Sequence, residues 1–158
     1  MYRRALLLCL YPEYAREIFR GVKTVELRRT RPNIPKGSKV FVYVTSPIKS
    51  IVGYFEVGEI KEGNPAGLWS QVGKLAGVSK EKFDQYYSGA KRGYGICIKR
   101  SCLLKRPVML GELKGIWEGF YPPRCYRYID EREILRVGGA ISSTKKQLEF
   151  VFSNEGSR

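Results

Sequence analysis

Histidine is absent from the 158 residues. That absence removes Ser–His and Cys–His nucleophile pairs, imidazole general bases and histidine metal sites together. Any catalysis must run on Lys, Glu, Asp, Tyr, Cys or Thr. No apolar run approaches the roughly 20 residues of a membrane span, so an integral membrane role is not expected. The four cysteines, Cys9, Cys97, Cys102 and Cys125, contain no C-x-x-C pair. They read as reduced thiols that fill space as small hydrophobes, and no metal site is expected. No G-x-x-x-x-G-K-[ST] occurs, nor a strand–GxGxxG–helix unit, so no nucleotide cofactor is expected. Internal repeats, low-complexity tracts and clear linkers are also missing.

Acidic residues are few. Asp and Glu number 15 against 29 Lys and Arg, a net charge of +14. Such an excess favours polyanions: RNA, DNA or an anionic surface. Hydrophobic residues make up 43 % and aromatics 13 %, enough for one domain to bury a core without a disulfide or a metal.

Arg3 and Arg4 followed by Ala5 to Leu10 imitate a signal peptide. The apolar stretch is too short, and Tyr11, Pro12 and Glu13 cut it off. It reads as an interior strand, and a cytoplasmic location is expected. Pro12 suits the first turn of a helix whose Tyr14, Ala15, Ile18 and Phe19 share one face, with Gly21 as its end. Strands are expected at Lys23–Arg29, Val40–Val44, Ile51–Ile60 and Gly93–Leu104. Two short helices are expected at Pro65–Leu75 and Ser79–Tyr87, the second capped by Ser79. Leu110 to Trp117 is ambiguous. Tyr121 to Ile129 reads as extended, Asp130 to Val137 as a short helix and Gln147 to Phe152 as a last strand. The order β-α-β-β-β-α-α-β lacks regular βαβ alternation, so the fold class is α+β, a mixed or antiparallel barrel flanked by short helices. The expected division is a domain over 1–130 and a C-terminal extension over 131–158.

The segment Gly21-Val22-Lys23-Thr24-Val25-Glu26-Leu27-Arg28 carries the most information. It places Lys23, Glu26 and Arg28 within six residues, on a strand that must also bury Val25 and Leu27. Arg29 and Arg31 extend the positive run. Glu26 and Arg28 lie on one strand face, where they can pair with each other or flank a ligand. The same pattern also describes a solvated, self-neutralising strand face.

Gly-x-Lys-x-x-Glu-x-Arg directly after a helix resembles the signature of ASCH domains, which have the PUA-like fold. Tyr11-Pro12-Glu13-Tyr14-Ala15, Tyr43-Val44-Thr45-Ser46-Pro47, Ile51-Val52-Gly53 and Pro122-Pro123-Arg124-Cys125-Tyr126-Arg127-Tyr128 are similar to small archaeal-type ASCH proteins. The resemblance covers most of residues 4–130. It implies a PUA-like pseudo-barrel with a charged cleft lined by the signature residues, RNA binding, and a role in RNA processing or translation-linked regulation. One bacterial branch resembles this chain in fold and is an amidohydrolase of acetylated cytidine that uses Lys, Thr and Glu. Its Lys matches Lys23, its Thr falls at Glu26, and its Glu falls near Lys82 and Glu81. Other members resemble ribonucleases.

In such a cleft Lys23 and Arg28 offer donors to phosphate or to base edges, and Glu26 accepts from a base amino group. That set suits recognition of one splayed-out nucleotide. Arg29 and Arg31 would contact backbone phosphates, Thr45 and Ser46 would reach a ligand from a strand end, and Tyr126 would stack on a base. Alternatively Lys23, beside Arg28, acts as a base with Glu26 as acidic partner in an enzyme acting on RNA or a modified nucleoside. A duplex-DNA-binding transcription factor is a third reading, although no helix-turn-helix is recognisable.

Overall fold

The computed structural model describes residues 4–138 and 145–152. Six strands form one sheet. β1 (Arg4–Leu10) leads through Pro12 into α1 (Pro12–Phe19), whose Ala15 and Ile18 are fully buried. Gly21, at φ 79°, takes the left-handed turn that ends the helix. β2 (Val25–Arg28) and β3 (Lys39–Val44) follow. β4 (Ser50–Gly63) is long and runs into α2 (Pro65–Val72), a 3-10 turn at Gly73–Leu75, and α3 (Lys80–Tyr86). β5 (Gly93–Met109), α4 (Leu110–Ile116), β6 (Tyr126–Asp130), α5 (Glu131–Gly138) and α6 (Lys145–Phe152) complete the described chain.

The hydrogen-bonded order is β2-β5-β4-β3-β1-β6. β1 and β3 are parallel and all other neighbours antiparallel. The α+β class and the mixed sheet are as expected, but the sheet does not close into a barrel. Bulges between Glu56 and Val57 and between Val57 and Ile60 bend β4 against β5. β2, however, has only four residues, and the prolines that follow it at 32 and 35 have no N–H to extend a ladder. β2 and β6 therefore remain separate edges.

Alternation along β1 and β3 sorts two cores onto the two sheet faces. Leu6, Leu8, Leu10, Val40, Val42 and Val44 meet Ala15 and Ile18 of α1. Ala5, Leu7, Phe41 and Tyr43 meet Leu113, Phe120 and Ile134. A third cluster joins Val25 and Leu27 of β2 to Leu68, Val72, Phe83 and Tyr87 of the helical segment. Ser79 caps α3 as expected, its hydroxyl accepting from the Lys82 N–H at 3.2 Å. Asp130 likewise accepts from the Arg132 N–H at 3.0 Å at the start of α5.

Two expectations need correction. β5 continues past Leu104 through Pro107 to Met109. Gly53 pairs with Leu103 and Ile51 with Val108, so Pro107 falls in the stretch where the register shifts and no ladder donor is needed. The segment 147–152 is not a strand but part of α6. Leu148, Val151 and Phe152 recur at i, i+3 and i+4, and all three pack on the same core as α1. The short window hides that helical spacing behind β-prone aromatic residues.

Candidate functional site

The unclosed side of the sheet is where the signature residues lie. Beyond the free edge of β2 a cavity of about 360 Å³ opens between the end of β1, the first turn of α1 and the face of α3. Lys23, Glu26 and Arg28 line it with Cys9, Tyr11, Tyr14, Thr45, Phe83 and Tyr86. Lys82 and the exposed Arg124 add positive charge to the lining.

Local structure explains why Lys23 points inward. After Gly21, the Val22 and Lys23 N–H groups both donate to the Glu17 carbonyl at 3.0 Å, and the Thr24 N–H donates to the Leu75 carbonyl at 2.9 Å. The chain is thereby held against the turn after α2. Gly77, at φ 67°, allows close approach there: a Cβ would stand 3.2 Å from the Lys23 Cβ. The Lys23 ammonium passes this glycine and donates to the Ala76 carbonyl.

Lys23 is 3 % exposed and Glu26 is 6 % exposed. The sequence pattern equally described a solvated strand face, and this burial excludes that description. Lys23 Nζ stands 3.6 Å from Glu26 Oε2, and Arg28 Nε stands 3.6 Å from Glu26 Oε1. Both contacts are ion pairs longer than a hydrogen bond. One carboxylate thus sits between two cations. Arg28 Nε is buried and has no hydrogen-bond partner among the described residues. A donor left so costs about 1–3 kcal/mol.

Burial pushes the Lys23 pKa below the ordinary lysine range; Glu26 opposes the shift and Arg28 adds to it. Burial pushes the Cys9 thiol up to about 11, against a smaller opposing effect of Arg28. Burial also raises Tyr86. Lys23 and Lys82 approach the Tyr14 ring, with Nζ 5.8 and 6.0 Å from its centroid. Both are within reach of the ring's negative face.

Of the residues expected at the site, Lys23, Glu26, Arg28 and Thr45 line this cavity. Arg29, Arg31, Ser46 and Tyr126 do not. Arg29 donates to the Tyr86 carbonyl at 3.1 Å, and Arg31 pairs with Glu62 at 3.3 Å. Ser46 is exposed beside the cis bond to Pro47. Tyr126 packs edge-on to Tyr128, with ring centroids 5.6 Å apart. Sequence reasoning missed Cys9, Tyr11, Tyr14, Tyr86 and Arg124 as lining residues. Tyr11 and Tyr14 carried a signal: they frame the proline that starts α1, immediately after a buried strand, and a strand end beside a helix start is a common ligand position. Among the described residues, no group of three or more Cys, Asp or Glu side chains is gathered to hold a metal ion.

The ASCH domain family matches residues 8–105, a stretch that holds the cavity floor and most of its walls. The chain belongs to the ASCH domain family. A similar ASCH protein is the "ASCH domain-containing ribonuclease" of Zymomonas mobilis, 30 % identical over 143 residues, which covers 90 % of this chain and 96 % of that protein. The crystal structure of ASCH from Zymomonas mobilis superposes with a TM-score of 0.79 at 29 % identity, covering 89 % of this chain and 97 % of that one. Similarity extends to the large ribosomal subunit protein uL22 of Ureaplasma parvum, 31 % identical over 108 residues. There the match covers 68 % of this chain but only 34 % of that protein. The six-stranded sheet with flanking helices is thus an ASCH architecture, and no helix among the described residues is long and apolar enough to cross a membrane.

Proposed function

We propose that this ASCH domain binds RNA and takes one unstacked nucleotide into the cavity beside β2. The observation that carries this reading is the orphaned Arg28 Nε next to the Glu26 carboxylate. The floor offers an unused buried donor beside an acceptor, the combination that a base edge or a ribose phosphate completes. Tyr11, Tyr14 and Tyr86 supply ring surface for the base. Lys82 and Arg124 supply charge for the adjoining phosphates. The volume matches a small-ligand pocket and is too confined for a duplex.

The test is fluorescence anisotropy with single-stranded RNA, hairpin RNA and duplex DNA over a salt series. The expected result is one RNA class whose affinity persists as salt rises and falls at least tenfold in Arg28→Ala. If every polymer binds alike, salt abolishes all binding and Arg28→Ala matches the native chain, the charge is a general surface property and the reading fails.

A second reading is RNA cleavage in the same cavity. The lowering of the Lys23 pKa by burial favours it: an amine there can take the 2′-hydroxyl proton as O2′ bonds to the neighbouring phosphorus, the P–O5′ bond breaks, and the resulting ammonium returns the proton to the departing 5′-oxygen. Similarity to the Zymomonas mobilis ribonuclease gives it weight. End-labelled RNA incubated with the native chain and with Lys23→Met decides it: shorter products that disappear in the variant support cleavage, and intact RNA in both leaves binding alone. A modified nucleoside or duplex DNA as the partner would show as preferential binding of those probes.

A further inference from the structure

A second concave site lies at the other edge of the sheet. It has a volume of about 420 Å³ and is lined by Arg4, Trp117, Arg127, Tyr128, Asp130 and Glu133, together with Ile129. Of its two carboxylates, Asp130 has a cationic partner and Glu133 a neutral one. Asp130 holds the Arg132 guanidinium at 2.8 Å and the Arg132 N–H at 3.0 Å. Glu133 accepts from the Trp117 indole N–H. The two arginines lining the site are paired differently. Arg4 stacks on Tyr128, its Cζ 3.7 Å from the ring centroid. Arg127 stacks on Trp117 and Phe120, at 4.9 and 5.4 Å.

Stacking orients a guanidinium but uses none of its N–H groups. Neither Arg4 nor Arg127 makes an ion pair with a carboxylate among the described residues, although two carboxylates line the same concavity. Two pre-oriented donor forks therefore flank the β6 edge from opposite faces, Arg4 beside Tyr128 and Arg127 beside Trp117 and Phe120. That is the chemistry of phosphate capture, with aromatic faces alongside. The strand that carries Arg127 also connects the two sites. β6 starts at Tyr126, two residues after Arg124 of the cavity wall. Arg124 and Arg127 are three residues apart, about 10 Å in extended chain.

We propose that Arg4 and Arg127 form a second contact for the same RNA strand. The sugar-phosphate backbone leaves the cavity past Arg124 and runs along the outer edge of β6, with a phosphate on each guanidinium. This rests on the RNA-binding reading of the cavity. It adds that affinity depends on strand length, because a short oligonucleotide fills the cavity without reaching Arg127.

The experiment compares a dinucleotide and a 12-nucleotide single-stranded RNA, both labelled, on the native chain, Arg4→Gln, Arg127→Gln, the double variant and Arg28→Ala. Thermal melting checks folding, and Arg4, an exposed residue at the start of β1, supplies a variant that disturbs no core. For the 12-mer, each single variant should weaken binding about 3- to 10-fold. Each should also lower the slope of log K against log salt by about 0.7, the value for one phosphate on a single strand. The dinucleotide should bind the native chain and both single variants equally. If Arg28→Ala weakens both RNAs while the Gln variants leave 12-mer affinity and slope unchanged, the edge contact is refuted and the cavity reading stands. If the Gln variants weaken the dinucleotide as much as the 12-mer, the edge contact is equally refuted. If the native chain binds neither RNA, or Arg28→Ala changes nothing, both readings fall.

Discussion

Replacing Glu26 by Gln removes one charge and almost no volume from the cavity floor. It leaves the Lys23 ammonium, 3 % exposed, with a backbone carbonyl, and leaves neither Lys23 nor Arg28 an ion-pair partner among the described residues. Breaking a buried pair from one side costs about 3–5 kcal/mol. Lys23 has an escape, because it can give up its proton. For an ordinary lysine that step costs about 4.6 kcal/mol at pH 7 and about 1.9 kcal/mol at pH 9, at about 1.36 kcal/mol per pH unit from a pKa of about 10.4. Those values cap what the unpaired ammonium can cost. The sign follows from linkage. The folded-state lysine pKa is depressed, and removing Glu26 depresses it further, since Glu26 is what raises it. Between the folded and unfolded pKa values the unfolded chain binds more protons, so stability rises with pH. Glu26→Gln should therefore destabilise the fold by about 3–5 kcal/mol at pH 7, with the gap to the native chain about 2 kcal/mol smaller at pH 9. Urea denaturation followed by circular dichroism at pH 6, 7, 8 and 9 reads both numbers. A gap below about 1 kcal/mol that does not change with pH would refute the reasoning, because the Lys23–Glu26 pair would then be solvated.

Three further outcomes are expected. Gly53→Ala puts a Cβ 2.3 Å from the Cys102 carbonyl oxygen and 2.8 Å from Phe19 Cε1. It should cost at least about 2 kcal/mol by strand displacement, and an unchanged melting temperature would show that the β4–β5 crossing yields. Of the four thiols, the exposed Cys125 should react first with a maleimide at pH 7.5. Cys9, half-buried and pushed up to about 11, should lag by at least tenfold; peptide mass spectrometry over time separates them. Ser79→Ala removes the α3 cap and should lower stability by about 1 kcal/mol; a change within error would mean that packing of Phe83 alone holds the helix.

Most of the sheet was legible because its strands are written in local patterns. Ala5 to Leu10 is a continuous apolar run, as suits a strand flanked on both sides. Val25 and Leu27 alternate with Glu26 and Arg28, and the structure puts the apolar pair in the helical cluster. The signature triplet was legible as a group. What pattern could not supply was depth: strand alternation places Glu26 and Arg28 on a face but does not tell whether water covers it. That was decided by residues far along the chain, Ala76 and Gly77 beneath Lys23 and Lys82, Phe83 and Tyr86 across the gap. The last helix was misread because eight residues are too few for period 2 and period 3.6 to separate.

Burial of Lys23 and Glu26 also sets how this site can drift. A solvated ion pair tolerates substitution one partner at a time, with little lost at each step. Here Lys23 and Glu26 share one desolvated space, so a sequence that loses the acid first carries an uncompensated cation until a second change removes it. The low-cost routes change both positions together or pass through a background with stability to spare. The cavity floor should thus be inherited as a block, while its aromatic and basic walls, each resting on a different element, remain free to vary and to retune which ligand the block receives.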